Sequence, residues 1–242
     1  MCKPSSLLLV LIALAASASL PCAVVRADAI AYSAKDASGP TPPFVAPVPA
    51  SADWTITAKY PPPPPDAPPK GDKAPDPRIA EVHTTKTGEI RHDHVVLVDG
   101  NESDQWYVSG FLLTMPPGST EVAVYDLSND PPPDPRDGNP TLAKGFPGVG
   151  WVKFDAYDQT VPYEKHTCYH YLAGEIGSGE AWIDTETKLP VAYKAGDAVY
   201  KYRFNEPPTG PLVLPAVYRE AMERAQKMIE HRRQLQRDLL GK

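Results

Sequence analysis

Large apolar side chains alternate with polar ones over most of this chain, in short runs that stop at Gly, Asp, Asn or Pro. Residues 54–60 set the pattern, with Trp54, Ile56, Ala58 and Tyr60 in step and polar residues between them. That period of two marks a half-buried strand. The same reading gives strands at 78–87, 90–98, 105–115 and 121–127, then at 150–157, 164–172, 180–184, 189–194 and 198–204. Polar turns separate them, among them Thr87-Gly88-Glu89, Asp99-Gly100-Asn101 and Ala195-Gly196-Asp197. An Asp-Gly pair between apolar runs is a strong hairpin signal, because both residues tolerate the positive φ such a turn requires. Nine or ten short strands joined this way predict a mainly-β fold, a large antiparallel sheet or barrel without βαβ units.

The end of the chain changes period. Leu214, Tyr218, Ala221, Ala225, Met228, Leu235 and Leu239 follow a 4-3 spacing broken only by Arg232, which predicts a long C-terminal helix over about 215–240. Pro215 stands where a first helical turn tolerates it, and Arg232, Arg233 and Arg237 complement the dipole at the other end. Val217, Met222 and Ile229 widen the stripe, so at least the first half is expected to dock on the sheet and cover its open face. The second half is free to project and pair with another chain.

Prolines divide the chain. There are 30 in 242 residues, more than twice the usual share of about 5%. Residues 28–53 read as a disordered Pro/Ala-rich leader without apolar periodicity. Two Pro-rich loops follow, at 61–77 and 128–140, inside a single domain of residues 54–242. The five consecutive prolines Pro61 to Pro65 favour a stiff polyproline II spacer.

The first 27 residues read as a signal peptide. Lys3 precedes an apolar run at 7–16, then small residues, and cleavage after Ala27 would leave Asp28 first; Ala16-Ser17-Ala18 offers a second site. Ten apolar residues are too few to cross a bilayer, which takes about 20, so no transmembrane segment is expected in the mature chain. Pro21 before Cys22 fits lipoprotein processing poorly. The protein is thus expected to be exported, periplasmic or extracellular. Loss of Lys3 and Arg26 would take the net charge from −6 to −8, and no basic patch stands out, so nucleic acid is not an expected partner. Cys168 would be the one cysteine left, which rules out an internal disulfide.

The candidate chemistry is sparse. His166, Cys168 and His170 alternate on one strand and share a face, and His92 and His94 repeat the spacing on another. Imidazole and thiolate suit zinc or copper, but tetrahedral sites need ligands converging from several elements. The alternative is a buried thiol with partly exposed histidines. A cysteine in mid-strand lacks the electropositive setting of a nucleophile, and no hydrolase elbow, zinc-protease helix motif or phosphate loop is present. Asp99, Asp104, Asp126, Asp130, Asp134 and Asp137 read as turn formers rather than a calcium loop. No catalytic, cofactor or metal residue is assigned, and the protein is read as a non-enzyme.

One stretch carries a resemblance. Glu180-Ala-Trp-Ile-Asp-Thr-Glu-Thr-Lys-Leu-Pro-Val-Ala-Tyr193, followed by Ala198-Val-Tyr-Lys-Tyr-Arg-Phe204, resembles the late strands of the LolA/LolB-like superfamily. Trp182, Leu189, Val191, Tyr200, Tyr202 and Phe204 would supply its large buried side chains. The resemblance implies a periplasmic protein with an incomplete antiparallel half-barrel, closed by helices over an apolar concavity that binds acyl chains. Two functions follow as expectations: a carrier of a lipid or other apolar ligand, or a structural or interaction protein of the cell envelope. An open apolar cavity of several hundred Å³ would mark the carrier, and a concavity filled by the chain's own side chains would mark the second.

Overall fold

The computed structural model describes residues 39–62, 76–116, 119–127, 145–174 and 179–240. The expected signal at 1–27, the Pro-rich loop at 128–140 and most of that at 61–77 lie outside the described residues.

The strands are β1 (Ser51–Lys59), β2 (Ile79–Thr87), β3 (Ile90–Leu97), β4 (Glu102–Val108), β5 (Phe111–Thr114), β6 (Ala123–Asp126), β7 (Tyr157–Tyr163), β8 (His166–Leu172), β9 (Glu180–Asp184), β10 (Pro190–Ala195) and β11 (Ala198–Phe204). Among the described residues one α-helix, α1, runs over Ala216–Leu240. All eleven strands form one sheet in the order β6-β5-β4-β3-β2-β1-β11-β10-β9-β8-β7. Each neighbouring pair is antiparallel. The sheet is curved but unclosed, with β6 and β7 as its two edges. This is the mainly-β half-barrel with a long C-terminal helix that the sequence led us to expect.

Three details differ from the sequence reading. The strand expected at 105–115 is broken into β4 and β5 by a tight turn at Ser109 and Gly110, whose φ angles are 49° and 82°. Two consecutive positive φ values give the hairpin twist that suits antiparallel neighbours. The strand expected at 150–157 is instead a loop ending in a 3-10 turn at Phe154–Ala156, and β7 starts only at Tyr157. It carries Pro162 on an edge strand, where a missing N–H is tolerated. Finally, the leader expected over 28–53 ends early. Phe44, Val45 and Val48 lie half-buried on the core, the Ala46 N–H donates to the Lys188 carbonyl at 2.8 Å, and Ser51 already opens β1.

Register and alternation divide the side chains between two faces. Trp54 lies opposite Phe204, Ile56 opposite Tyr202, Tyr193 opposite Tyr200, and Ala181 opposite both Tyr193 and Tyr171. These share one face, here called the core face, and form the larger apolar cluster with Phe146, Val149, Trp151 and Tyr157. Trp106 and Leu113 point to the other face, where they meet Leu214 and Tyr218 in a second cluster. The helix therefore does not cover the core face, as its amphipathic stripe suggested. It docks on the opposite one, over β5 and β6. The reason is local: the β4–β6 end carries large apolar residues on that side, whereas the core face is covered by residues 44–48 and 146–151. Among the described residues no helix is long and apolar enough to cross a membrane.

Burial of each large side chain at the helix contact is worth about 1.5–3 kcal/mol. Only Tyr218 and Ala221 of α1 are fully buried, and residues 230–240 are all exposed. Removing residues 216–242 should uncover Trp106 and Leu113 and yield an aggregating or non-cooperative product. Removing residues 233–242 should leave the denaturation midpoint nearly unchanged. Chemical denaturation followed by tryptophan fluorescence checks both.

Candidate functional site

The place to look for a ligand is the core face. Its floor is aromatic because β1, β8, β10 and β11 each turn alternate large side chains toward it: Trp54, Tyr171, Tyr193, Tyr200 and Tyr202. Residues 146–151 lie across this floor as a plug. Phe146 meets the rings of Trp54 and Phe204 edge-on at 5.4 and 5.6 Å, and the Tyr202 hydroxyl donates to the Pro147 carbonyl. The Trp151 indole N–H donates back to the Gly148 carbonyl at 2.8 Å, folding the plug on itself. Tyr193 is pressed between Tyr200, stacked at 4.6 Å and 5°, and the backbone of Gly148. Gly148 has φ +70°, and a Cβ there would lie 2.3 Å from the Tyr193 ring. Only glycine fits that approach. The described chain thus fills this part of the concavity itself. Among the described residues two buried side-chain polar atoms here have no hydrogen-bond partner, Trp54 Nε1 and Tyr171 Oη. Burial pushes the Tyr171 hydroxyl well above its usual range.

Toward β2–β4 the same face becomes ionic. Trp54 lies opposite Thr84, and Thr84 opposite Asp93. Asp93 is fully buried and takes Arg91 Nε at 2.7 Å, Arg91 Nη2 at 2.6 Å and the Thr84 hydroxyl at 2.8 Å. The guanidinium lies 5.0 Å from the Tyr107 ring centroid and 5.8 Å from that of Trp54. Burial alone would lower the Arg91 pKa, but Asp93 reverses this and holds it above its usual value.

The five histidines of the sheet lie on the other face, each engaged by a carboxylate. His83 meets Asp53 at 2.8 Å, and Asp104 is shared by His92 at 2.8 Å and His94 at 3.1 Å. His166 meets Asp184 at 2.9 Å, while His170 sits between Asp158 at 3.1 Å and Glu180 at 3.3 Å. Asp184 also accepts the Thr187 amide at 2.8 Å and the Glu186 amide at 3.1 Å, closing the β9–β10 turn. Burial would push its carboxyl up, but the Thr187 amide, His166 and the Thr187 hydroxyl together hold it below its usual value.

The candidate cluster on β8 does share a face, but its members are held apart by separate partners. His166 is exposed, His170 is buried, and Trp182 stacks on His170 at 5.2 Å. Cys168 is fully buried, and burial followed by the nearby Asp184 charge pushes its thiol up to about 11. A thiol so buried lacks the exposed, electropositive setting of a reactive nucleophile. Among the described residues no three of His, Cys, Asp and Glu are placed to hold one metal ion. Trp182, expected as a core residue, is on the face opposite Ala181 and Ile183, and stacks on Tyr163 at 4.8 Å.

One groove of about 890 Å³ opens where the second half of α1 leaves the sheet. Phe111 and Ile229 line it together with Asp126, Glu230, Arg233 and Arg237. Its size would suit a ligand, but four charged side chains around it do not make an apolar carrier cavity.

The plug and the Arg91–Asp93 pair were not singled out from the sequence. The signals available were the Gly/Pro-rich run Gly145-Phe-Pro-Gly-Val-Gly150 and the two-residue spacing that sets Arg91 and Asp93 on one face of a strand. Neither signal says that the group is buried.

The sequence matches no protein-family model and no curated protein at a significant level. Among solved structures, a LolA superfamily protein from Nitrosomonas europaea is similar, with 10% identity and a TM-score of 0.29 over 71% of this chain and 89% of that one. A likeness at this level bears on neither ligand nor partner.

Two predictions test this description. Gly148→Ala should cost about 2 kcal/mol or more, since it adds both backbone strain and a clash with a ring that cannot retreat. Equilibrium urea unfolding reads that loss. Asp93→Ala should cost about 3–5 kcal/mol by leaving a buried cation uncompensated, whereas Arg91→Met with Asp93→Leu should stay close to the parent protein. If the double variant is as unstable as the single one, the ion pair itself is what the fold requires.

Proposed function

We propose that this chain is an exported, non-enzymatic binding protein of the cell envelope that engages a macromolecular partner through its surface. The observation that supports this reading is the plug: Phe146, Val149 and Trp151 occupy the aromatic floor where a half-barrel carrier would hold its ligand. Filling a site with one's own side chains removes the apolar surface that would drive ligand entry. Burial pushes the Cys168 thiol up, which speaks against a nucleophilic cysteine.

Trp54 Nε1 and Tyr171 Oη favour a second reading. Buried donors without partners cost about 1–3 kcal/mol each, and a lipid or other apolar ligand with a polar end could satisfy them if the plug were displaced. Native mass spectrometry of protein purified from its own host separates the two. The expected mass is that of a chain beginning at Asp28 with nothing bound. An added lipid mass would overturn the interaction reading in favour of the carrier. A mass that includes residues 1–27 would remove the basis for export.

A further inference from the structure

We propose that the core face beside the plug is a trough for a proline-rich peptide of another protein, and that residues 40–48 are its occupant in cis. The inference rests on the reading of an interaction protein and deepens it by naming the chemistry of the partner.

Four aromatic side chains line the trough. Phe154 stands on the 3-10 turn, Tyr157 opens β7, and Tyr169 and Tyr171 come from β8. Tyr157 meets Tyr169 and Tyr171 edge-on at 6.0 and 5.9 Å. The strap enters beside Phe154, where a Cβ on Gly39 would lie 2.4 Å from the ring. Phe44 then sets its own ring 6.2 Å from Phe154 and 6.4 Å from Tyr171, while Val45 and Val48 pack on the core cluster.

The strap is held as a bound peptide is held. Pro40, Pro42, Pro43, Pro47 and Pro49 bring no N–H that needs an acceptor, and they lose little backbone freedom on ordering. Among the described residues one main-chain hydrogen bond ties residues 40–48 down, from the Ala46 N–H to the Lys188 carbonyl. Phe44, Val45, Ala46 and Val48 are half-buried, whereas Phe146 and Val149 of the plug are buried. The strap therefore lies on the core, and the plug lies in it. Pro49 and Ala50, both exposed, form the hinge to β1. Aromatic rings against a proline-rich segment are a recurring mode of peptide recognition.

The same segment of a second copy would make only the contacts the strap already makes, against a cis occupant at high effective concentration. It gains nothing. A different peptide can gain a hydrogen bond. Tyr171 is fully buried beside Phe44, yet among the described residues its hydroxyl has no partner. A peptide that brings a carbonyl to this hydroxyl recovers what the strap forgoes. The partner segment is thus proline-rich, with an aromatic–aliphatic pair like Phe44-Val45 and a main-chain carbonyl for Tyr171.

A fluorescein-labelled peptide of residues 39–49, titrated into the full chain by fluorescence anisotropy, is the probe. In the parent chain the strap closes the trough in most molecules and weakens the apparent affinity accordingly. Phe44→Ser in the full chain should tighten peptide binding by about tenfold or more. Adding Phe154→Ala should weaken it again severalfold, and Phe154 is 56% exposed, so the fold should hold. The peptide should also raise the melting temperature of the Phe44→Ser variant, a readout that survives partial loss of folding. A variant that neither binds the peptide nor is stabilised by it overturns the proposal, because the strap is then a fixed part of the core. A scrambled peptide that binds as tightly overturns it, and so does a parent chain that binds the probe as well as the variant. A parent chain that sediments as a dimer and turns monomeric with Phe44→Ser would overturn the choice of partner and assign the trough to a second copy. The native mass of the host protein is read independently of all these results, so the interaction reading and the trough can fail separately.

Discussion

β1 is hydrogen-bonded to β2 on one side and, on the other, to the last strand of the chain, from Trp54 opposite Phe204 to Lys59 opposite Val199. Every other strand pairing joins neighbours in sequence. The protein is therefore two meanders, β1–β6 and β7–β11, and this one long-range ladder makes them a single sheet. Trp54 sits on that ladder, fully buried between the Phe146 plug and the Arg91–Asp93 pair. If the ladder were lost, both the aromatic floor and the ionic end of the core face would lose a wall. Closing so long a loop costs entropy before any contact repays it, which gives this pairing the decisive place in assembly.

An unclosed sheet has two faces and two edges to protect. The core face is covered by loops, residues 44–48 and 146–151, and the opposite face by α1 at one end and by a mosaic of histidine–carboxylate pairs elsewhere. Such pairs satisfy polar atoms on a face that has no second layer, and partly exposed ones add little net stability. The edge strand β7 carries Pro162, which discourages further strand addition, and β6 is only four residues long. Among the described residues apolar side chains remain in water along the second half of α1, and also singly at Val98, Tyr125, Phe154 and Val213.

Much of the fold was legible in local pattern. Nine of the ten runs found by alternation correspond to strands, the run at 150–157 is a loop and β7 was not read as a strand, the Asp99-Gly100 turn joined β3 to β4 as expected, and the 4-3 spacing placed the helix to within a residue. Errors fell where a signal was shared by two structures. Ser109-Gly110 looked like the interior of a strand because apolar residues continue on both sides. Phe44, Val45 and Val48 looked unstructured among prolines, because no local period announces a segment that packs as a strap. His166, Cys168 and His170 were placed on one face, but their separate carboxylate partners come from β7 and β9 and could not be read from β8 alone.

The sequence by itself determined most of the strands, the helix and the Gly-marked turns, since these depend on backbone sterics and on periods of two and of about 3.6. Only the tertiary structure decided which face each cover would take. An amphipathic helix can dock on any apolar surface of matching size, and the choice between the core face and the Trp106–Leu113 patch depended on what else was competing for them. The plug won the core face because Gly148 can lie flat on the Tyr193 ring and Phe146 can reach Trp54. That fit arises between segments far apart in the chain, and no period within any one of them contains it.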